Sequence, residues 1–338
     1  MALREEGFLR TSSRHRIYFR VEGSQDLDAV PVFIFHGGWG PRDSDRECAA
    51  TAPNVRVVQM HQRGWGNSSP AGELTDNNPA QILRDVEDLR RHLGIDRWLV
   101  VGGSTGAMLA LLYAVENASA VSGVLLRGTW LLRRKEIDWC YRGGMAHFYP
   151  QEWQDFCAHV GCDSSLSEGH ADPVALFGDL LHSQDEGLAL AAAQAWMRWD
   201  AICGELVPDL SKQGLLDPAF ALTAARIGVY FYLQQDELLP DDHILEKARL
   251  GALQGVPVRL VNGRYDLLCP PKWTHEVAQA LRCGGADCTV TFVDANGHAG
   301  TEEGIQLAMQ RAVLALSLSS SQSKVQRPEP KEGPRPRL

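Results

Sequence analysis

Basic charge is in short supply. The chain carries 33 lysines and arginines against 42 aspartates and glutamates, a net charge of −9 over 338 residues. Nucleic acid and anionic membranes attract the opposite balance, so neither is an expected partner. Long apolar runs are missing too. Nothing approaches the roughly 18 uninterrupted apolar residues of a membrane span. The opening Met1-Ala2-Leu3-Arg4-Glu5-Glu6-Gly7 has no apolar core of the kind a secretory signal needs. The eight cysteines (48, 140, 157, 162, 203, 269, 283 and 288) include no C-x-x-C pair, which excludes zinc-ribbon and thioredoxin-like motifs. A cytoplasmic chain with reduced, packed thiols is therefore expected. Cys157 with Cys162, or Cys283 with Cys288, are the pairs close enough in sequence to be candidates under oxidation. No H-E-x-x-H, P-loop or G-x-G-x-x-G occurs either, so no metal or nucleotide cofactor is expected.

What is present is an ordinary globular composition, 44% hydrophobic and 22% charged, long enough for one large domain or a core with an insertion. Apolar runs at Ile17–Val21, Val30–Phe35, Val55–Met60, Trp98–Gly102 and Val121–Leu126 read as strands. Between them, Ile82, Val86, Leu89 and Leu93 recur at helical spacing, with Asn78 as N-cap, Pro79 at N1 and Gly94 as the stop. A small-residue helix covers Ala107–Glu116. Strands alternating with helices predict a parallel sheet covered on both faces. From Trp130 to about Leu239 the β-branched runs vanish. Helical segments replace them at Ile137–Met145, Glu152–Val160, Leu188–Trp199 and Pro218–Phe231. Strands return at Val258–Val261 and Cys288–Val293, before a last helix at Gly304–Leu316. The expected organisation is a core over 1–129, a helical cap over 130–240, a second part of the core over 241–316, and a disordered tail over 317–338, whose Ser, Lys, Pro and Glu offer no face to bury.

Gly102-Gly103-Ser104-Thr105-Gly106 fits G-x-S-x-G between an apolar strand and a small-residue helix, the setting of a nucleophile elbow. A serine hydroxyl needs a base to take its proton. The order Ser, acid, His is met by Asp266, just past the strand ending at Val261, and by His298, just past the strand ending at Val293. Asp294 is the reserve acid, close to His298 in sequence. The oxyanion donors expected are the N–H groups of Thr105 and of Gly38, in the loop His36-Gly37-Gly38-Trp39-Gly40. The tryptophans at 130, 139, 153, 196 and 199 suit the core of a cap better than a pocket lining, though both remain open.

These motifs together resemble the prolyl aminopeptidases (proline iminopeptidases), an α/β-hydrolase family with a helical cap. The resemblance runs from about Gly7 to Ala315. It rests on His36-Gly37-Gly38-Trp39-Gly40, Gln62-Arg63-Gly64-Trp65-Gly66-Asn67-Ser68-Ser69-Pro70, the serine motif, Leu125-Leu126-Arg127-Gly128, Glu136-Ile137-Asp138-Trp139, Gly263-Arg264-Tyr265-Asp266 and Gly297-His298. It implies release of an N-terminal proline by a Ser104–His298–Asp266 triad without a cofactor. The sequence also departs from the family. Trp39 stands where the oxyanion loop usually has proline, and Thr105 follows the serine where the family has tryptophan. His61 precedes Gln-Arg-Gly in place of aspartate. The resemblance places one ammonium-binding glutamate at Asp200, a shorter carboxylate, and the second at Gly228, which has none. Glu205 and Asp236 are the nearby candidates to compensate. Asp200 and Trp39 are thus the expected substrate-binding residues, and a small peptide, ester or amide the expected substrate. A carboxylesterase or amidase on a neutral molecule is the alternative enzyme, and a non-catalytic binding protein on the same scaffold the alternative of another class.

Overall fold

The computed structural model describes residues 3–11, 14–38, 40–41, 43–165, 171–207 and 217–325. The chain opens with β1 (Leu3–Arg10), β2 (Arg16–Gly23) and β3 (Val30–Phe35), then α1 (Asp43–Ala50), β4 (Val55–Met60) and α2 (Pro79–His92). Next come β5 (Trp98–Ser104), α3 (Thr105–Glu116) and β6 (Val121–Thr129). After β6 the described chain is helical: α4 (Arg134–Tyr141), α5 (Pro150–His159), α6 (Pro173–Leu181), α7 (Glu186–Gly204), α8 (Pro218–Leu233), the short α9 (Gln235–Leu238) and α10 (His243–Arg249). Then β7 (Pro257–Gly263), α11 (Pro271–Cys283), β8 (Asp287–Val293) and α12 (Glu303–Val325) complete it.

The eight strands form one sheet in the order β1-β2-β4-β3-β5-β6-β7-β8. β1–β2 and β2–β4 pair antiparallel; the pairs from β4 through β8 are parallel. Parallel pairing requires crossovers, and these supply the helices on both faces. Side chains alternate across a strand, so Phe33, Phe35, Trp98 and Val100 enter one apolar cluster with α2 and α3. Val32, Ile34, Leu99 and Val101 enter another against α1 and α12. Both faces are dry, which is why β3 and β5 read as unbroken apolar runs.

Asn78 caps α2 as expected, its side chain accepting from the Gln81 N–H ahead of Pro79 at N1. Other boundaries differ. The expected helix from Ile137 ends at Tyr141, and Met145–His147 form a separate 3₁₀ turn. The tail was expected to be disordered from Ser317, but α12 continues through Val325. Leu316 and Ser317 are buried there, so the first turn past Ala315 still packs on the core. Residues 326–338 lie outside the described residues. The cysteines are free thiols, Cys157, Cys162, Cys283 and Cys288 among them. Among the described residues no helix is long and apolar enough to cross a membrane.

Candidate active site

In a parallel sheet every strand delivers its following loop to the same edge, which is where open α/β sheets hold their ligands. Ser104 ends β5, Gly37 and Gly38 follow β3, Asp266 follows β7 and His298 follows β8. Four separate stretches of sequence thus meet at one edge.

The turn at Ser104 is strained. Its φ of 56° and ψ of −126° lie outside the ordinary regions for a residue with a side chain. Glycine on either side makes the turn possible. A Cβ on Gly102 would lie 2.1 Å from the Gly106 carbonyl oxygen, and one on Gly106 would lie 2.3 Å from that of Phe35. The serine itself opens α3, where the helix dipole favours negative charge.

His298 and Asp266 meet as the chain order suggested. His298 Nδ1 lies 2.8 Å from Asp266 Oδ2, both residues being buried. The other carboxyl oxygen of Asp266 accepts the Cys269 N–H at 2.7 Å. The carboxylate is thereby held on both sides, and the Nε2 side of the ring is left for a second partner. Gly128, at φ +52°, gives this pair its room: a Cβ there would fall 2.7 Å from the His298 ring. Asp294, the reserve acid, is exposed and pairs with Arg264 at 3.3 Å. The trio Asp266, Cys269 and His298 also brings three possible metal-ligating atoms together, of which the Asp266 carboxylate and His298 Nδ1 already bond to each other.

The loop after β3 is braced from within. The Gln62 N–H donates to His36 Nε2 at 3.0 Å, and Gln62 Nε2 donates to the His36 carbonyl at 2.9 Å. Nδ1 then donates to the Gly37 carbonyl at 3.0 Å. Burial pushes the His36 pKa down to about 3, so the ring is neutral and acts as a strut. Gly38 sits beside Thr105: a Cβ on Gly38 would touch Thr105 Oγ1 at 3.2 Å. Trp39 lies outside the described residues.

Two adjoining cavities share Ser104, Gly37, Gly38, Asp200 and Leu268. The larger, about 120 Å³, also reaches His298, Asp45, Arg127 and Glu205. The tighter one is walled by Trp65, Tyr141, Trp196, Phe231 and Tyr232, with Thr105 and Gly228 at its edge. Thus α7 and α8 close over the serine. Asp200 accepts a 2.7 Å hydrogen bond from the Tyr141 hydroxyl. Its apolar surroundings raise its pKa to about 7, the Tyr141 bond working against that shift. Glu205 lies in the larger cavity, whereas Asp236 is exposed and paired with Arg134 at 2.6 Å. Of the five tryptophans between 130 and 199, Trp130, Trp153, Trp196 and Trp199 are buried in the core. Trp196 does both jobs, packing on Tyr141 and lining the cavity.

Reasoning from sequence missed Arg127 and Tyr141. Arg127 Nη1 donates to the His298 carbonyl at 2.7 Å while its Nε lies 3.2 Å from Asp45. The Leu-Leu-Arg-Gly motif contained it, but nothing local signalled its partners.

A strained serine turn, a buried histidine–carboxylate pair and a mostly parallel sheet define an α/β hydrolase. A family model described as the alpha/beta hydrolase fold matches residues 30–156. A proline iminopeptidase from Arabidopsis thaliana is 34% identical over 301 residues, 88% of this chain and 76% of its own. One from Xanthomonas citri is 36% identical over 306 residues, 88% and 92% of the two chains. This chain belongs to the proline iminopeptidase family, and it is a hydrolase. Among solved structures, a proline iminopeptidase from Mycobacterium smegmatis superposes with a TM-score of 0.64 at 17% identity, covering 95% of this chain and 100% of that one. A putative lipase from Acinetobacter baumannii reaches 0.64 at 14%, covering 95% and 93%. At such identities these two speak for the fold alone.

Proposed function

We propose that this hydrolase releases an N-terminal residue, proline foremost, from peptides through an acyl-enzyme on Ser104. The observation that carries the reading is the placement of Asp200. It is a carboxyl group in an aromatic-walled cavity that also contains the serine. A buried ammonium group needs such a partner, and the rings suit a compact apolar side chain or pyrrolidine.

In this reading His298 Nε2 takes the Ser104 proton as Oγ attacks the scissile carbonyl. Asp266, hydrogen-bonded to Nδ1, stabilises the imidazolium that forms. The Gly38 and Thr105 N–H groups receive the oxyanion. The imidazolium then protonates the leaving amine, and water, activated by the same histidine, hydrolyses the ester. Residues 130–240 act as the cap that shuts the amine end of the site. Free thiols fit a reducing compartment such as the cytoplasm.

Hydrolysis of proline and alanine arylamides by the wild type, and its loss in Ser104→Ala, test the reading together with fluorophosphonate labelling. Ester turnover with no arylamide turnover would overturn the peptidase part in favour of a carboxylesterase. The relatives favour the aminopeptidase over that alternative.

A further inference from the structure

Strand β6 carries Arg127 and Gly128 just before its last residue, and both touch His298. Gly128 leaves the space that the ring occupies. Arg127 reaches the main chain of the same residue, Nη1 donating to its carbonyl at 2.7 Å. Consecutive residues of one strand therefore hold the histidine by its ring and by its backbone.

Arg127 makes two more contacts at the site. Its Nε meets Asp45 Oδ1 at 3.2 Å, and Asp45 belongs to α1, the helix that follows the Gly37–Gly38 loop. Its guanidinium also lies under the serine turn, where a Cβ on Gly103 would be 2.1 Å from Nη2. The side chain thus touches the serine turn, the main chain of His298 and, through Asp45, the helix that follows the Gly37–Gly38 loop. Arg127 is only 7% exposed. A charge that deep is costly unless paired, and a neutral residue could fill the same volume without that cost. A planar donor with several N–H groups in a fixed fork can bind two acceptors from different parts of the chain at once, which an apolar side chain cannot do.

We infer that Arg127 is a positioning residue of the hydrolytic reaction. Clamped to Asp45, it fixes the His298 main chain so that the ring stands where it can take the Ser104 proton. The inference rests on the triad reading above. Its substrate is whatever the serine attacks, so it holds for an aminopeptidase and an esterase alike.

A fluorophosphonate reads this step without a peptide substrate. The Ser104 Oγ–P bond forms, the P–F bond breaks, fluoride leaves and the serine proton passes to His298. The full chain is compared with Arg127→Met and Asp45→Asn, with thermal melting and near-UV circular dichroism reporting the fold. The expected result is a 10- to 100-fold lower maximal labelling rate in folded Arg127→Met, with the concentration for half-maximal rate within twofold of wild type. Asp45→Asn, which keeps the arginine but loosens its clamp, should fall three- to tenfold. Should Arg127→Met not fold, Asp45→Asn decides alone. Labelling of the folded variants at the wild-type rate overturns the inference while leaving the triad intact. Failure of the wild type to label at all overturns both. Labelling of the wild type without arylamide hydrolysis overturns only the peptidase reading, and the variant comparison still stands.

Discussion

The Tyr141 hydroxyl donates to Asp200 across 2.7 Å, and Tyr141 is itself stacked on Trp196 with ring centroids 4.6 Å apart. Tyr232 packs on Tyr141 at 4.9 Å and on Trp196 at 6.1 Å, closing a three-ring cluster. The carboxyl group thus sits beside an aromatic cluster, partly open to the cavity. Burial holds its pKa near 7 against the opposing pull of the tyrosine bond. An ammonium substrate needs the anion, so kcat/KM for proline arylamides should rise as Asp200 ionises through about pH 7. Neutral esters should lack this ionisation. Asp200→Asn is expected to remove one ionisation from the arylamide profile, lower its plateau at least tenfold and leave the ester profile unchanged.

Stability carries the same signature with a definite sign. Between the ordinary carboxylate range and pH 7 the folded Asp200 retains a proton that the unfolded chain has lost, so folding weakens as pH rises across that window. Asp200→Asn removes the penalty. Its melting temperature should exceed that of wild type at pH 8, and the gap should shrink steadily toward pH 4.

Ser104 stores backbone strain, with φ at 56° and ψ at −126°. Alanine keeps that strain; glycine relieves it. Both substitutions should abolish turnover, by 10³-fold or more. Ser104→Gly should nonetheless be more stable than Ser104→Ala by about 1–3 kcal/mol in urea denaturation. Equal stability of the two variants would show that the turn is not strained.

The serine turn could be read because strand, glycines, serine and helix are consecutive, and Asp266 and His298 drew notice because each lies a few residues past a strand, β7 and β8. What escaped reading depends on contacts made far away. Asp45 and His298 lie 82 and 171 positions from Arg127. Edge strand β1 is exposed along most of its length, so no alternation marks it. α1 reads Asp-Ser-Asp-Arg-Glu-Cys-Ala-Ala, with little apolar face to announce a helix. α11 is different: Trp273, Val277, Ala278 and Leu281 are buried at helical spacing just after Pro270-Pro271, so the sequence does carry its pattern. Ser317–Val325 has a loop-like composition yet continues α12, because a helix already docked through Ile305, Met309 and Val313 can propagate at little further cost.

Gly228 sits inside α8 with no positive φ, and a Cβ there would meet nothing nearer than Tyr232 Cε2 at 3.9 Å. Neither backbone nor packing requires a glycine at this position. Gly228→Ala should therefore stabilise the protein by about 0.5–1 kcal/mol, because the unfolded chain loses freedom and the helix gains propensity. Since Gly228 lines the cavity with Ser104 and Asp200, Gly228→Glu adds a carboxylate where an ammonium would sit. The ratio of arylamide to ester turnover should shift toward the arylamide, measured as the ratio of kcat/KM values above pH 8.

Arg63 and Asp85 form a doubly bonded buried pair, at 2.6 Å through Nε and 2.8 Å through Nη2. Arg63 Nη1 also donates to the Asp76 carbonyl at 2.8 Å. Both residues are fully enclosed, so removing one partner leaves a buried charge without compensation. Asp85→Ala should cost about 3–5 kcal/mol in urea denaturation. The same substitution should reach the chemistry, because Gln62, next to Arg63, holds His36 and hence the Gly37–Gly38 loop. At 15 °C, with Asp85→Ala still folded, kcat should fall more than KM changes, since a slack oxyanion loop weakens transition-state binding more than ground-state binding. A variant that is destabilised but keeps the wild-type kcat would separate this ion pair from the site and confine it to the fold.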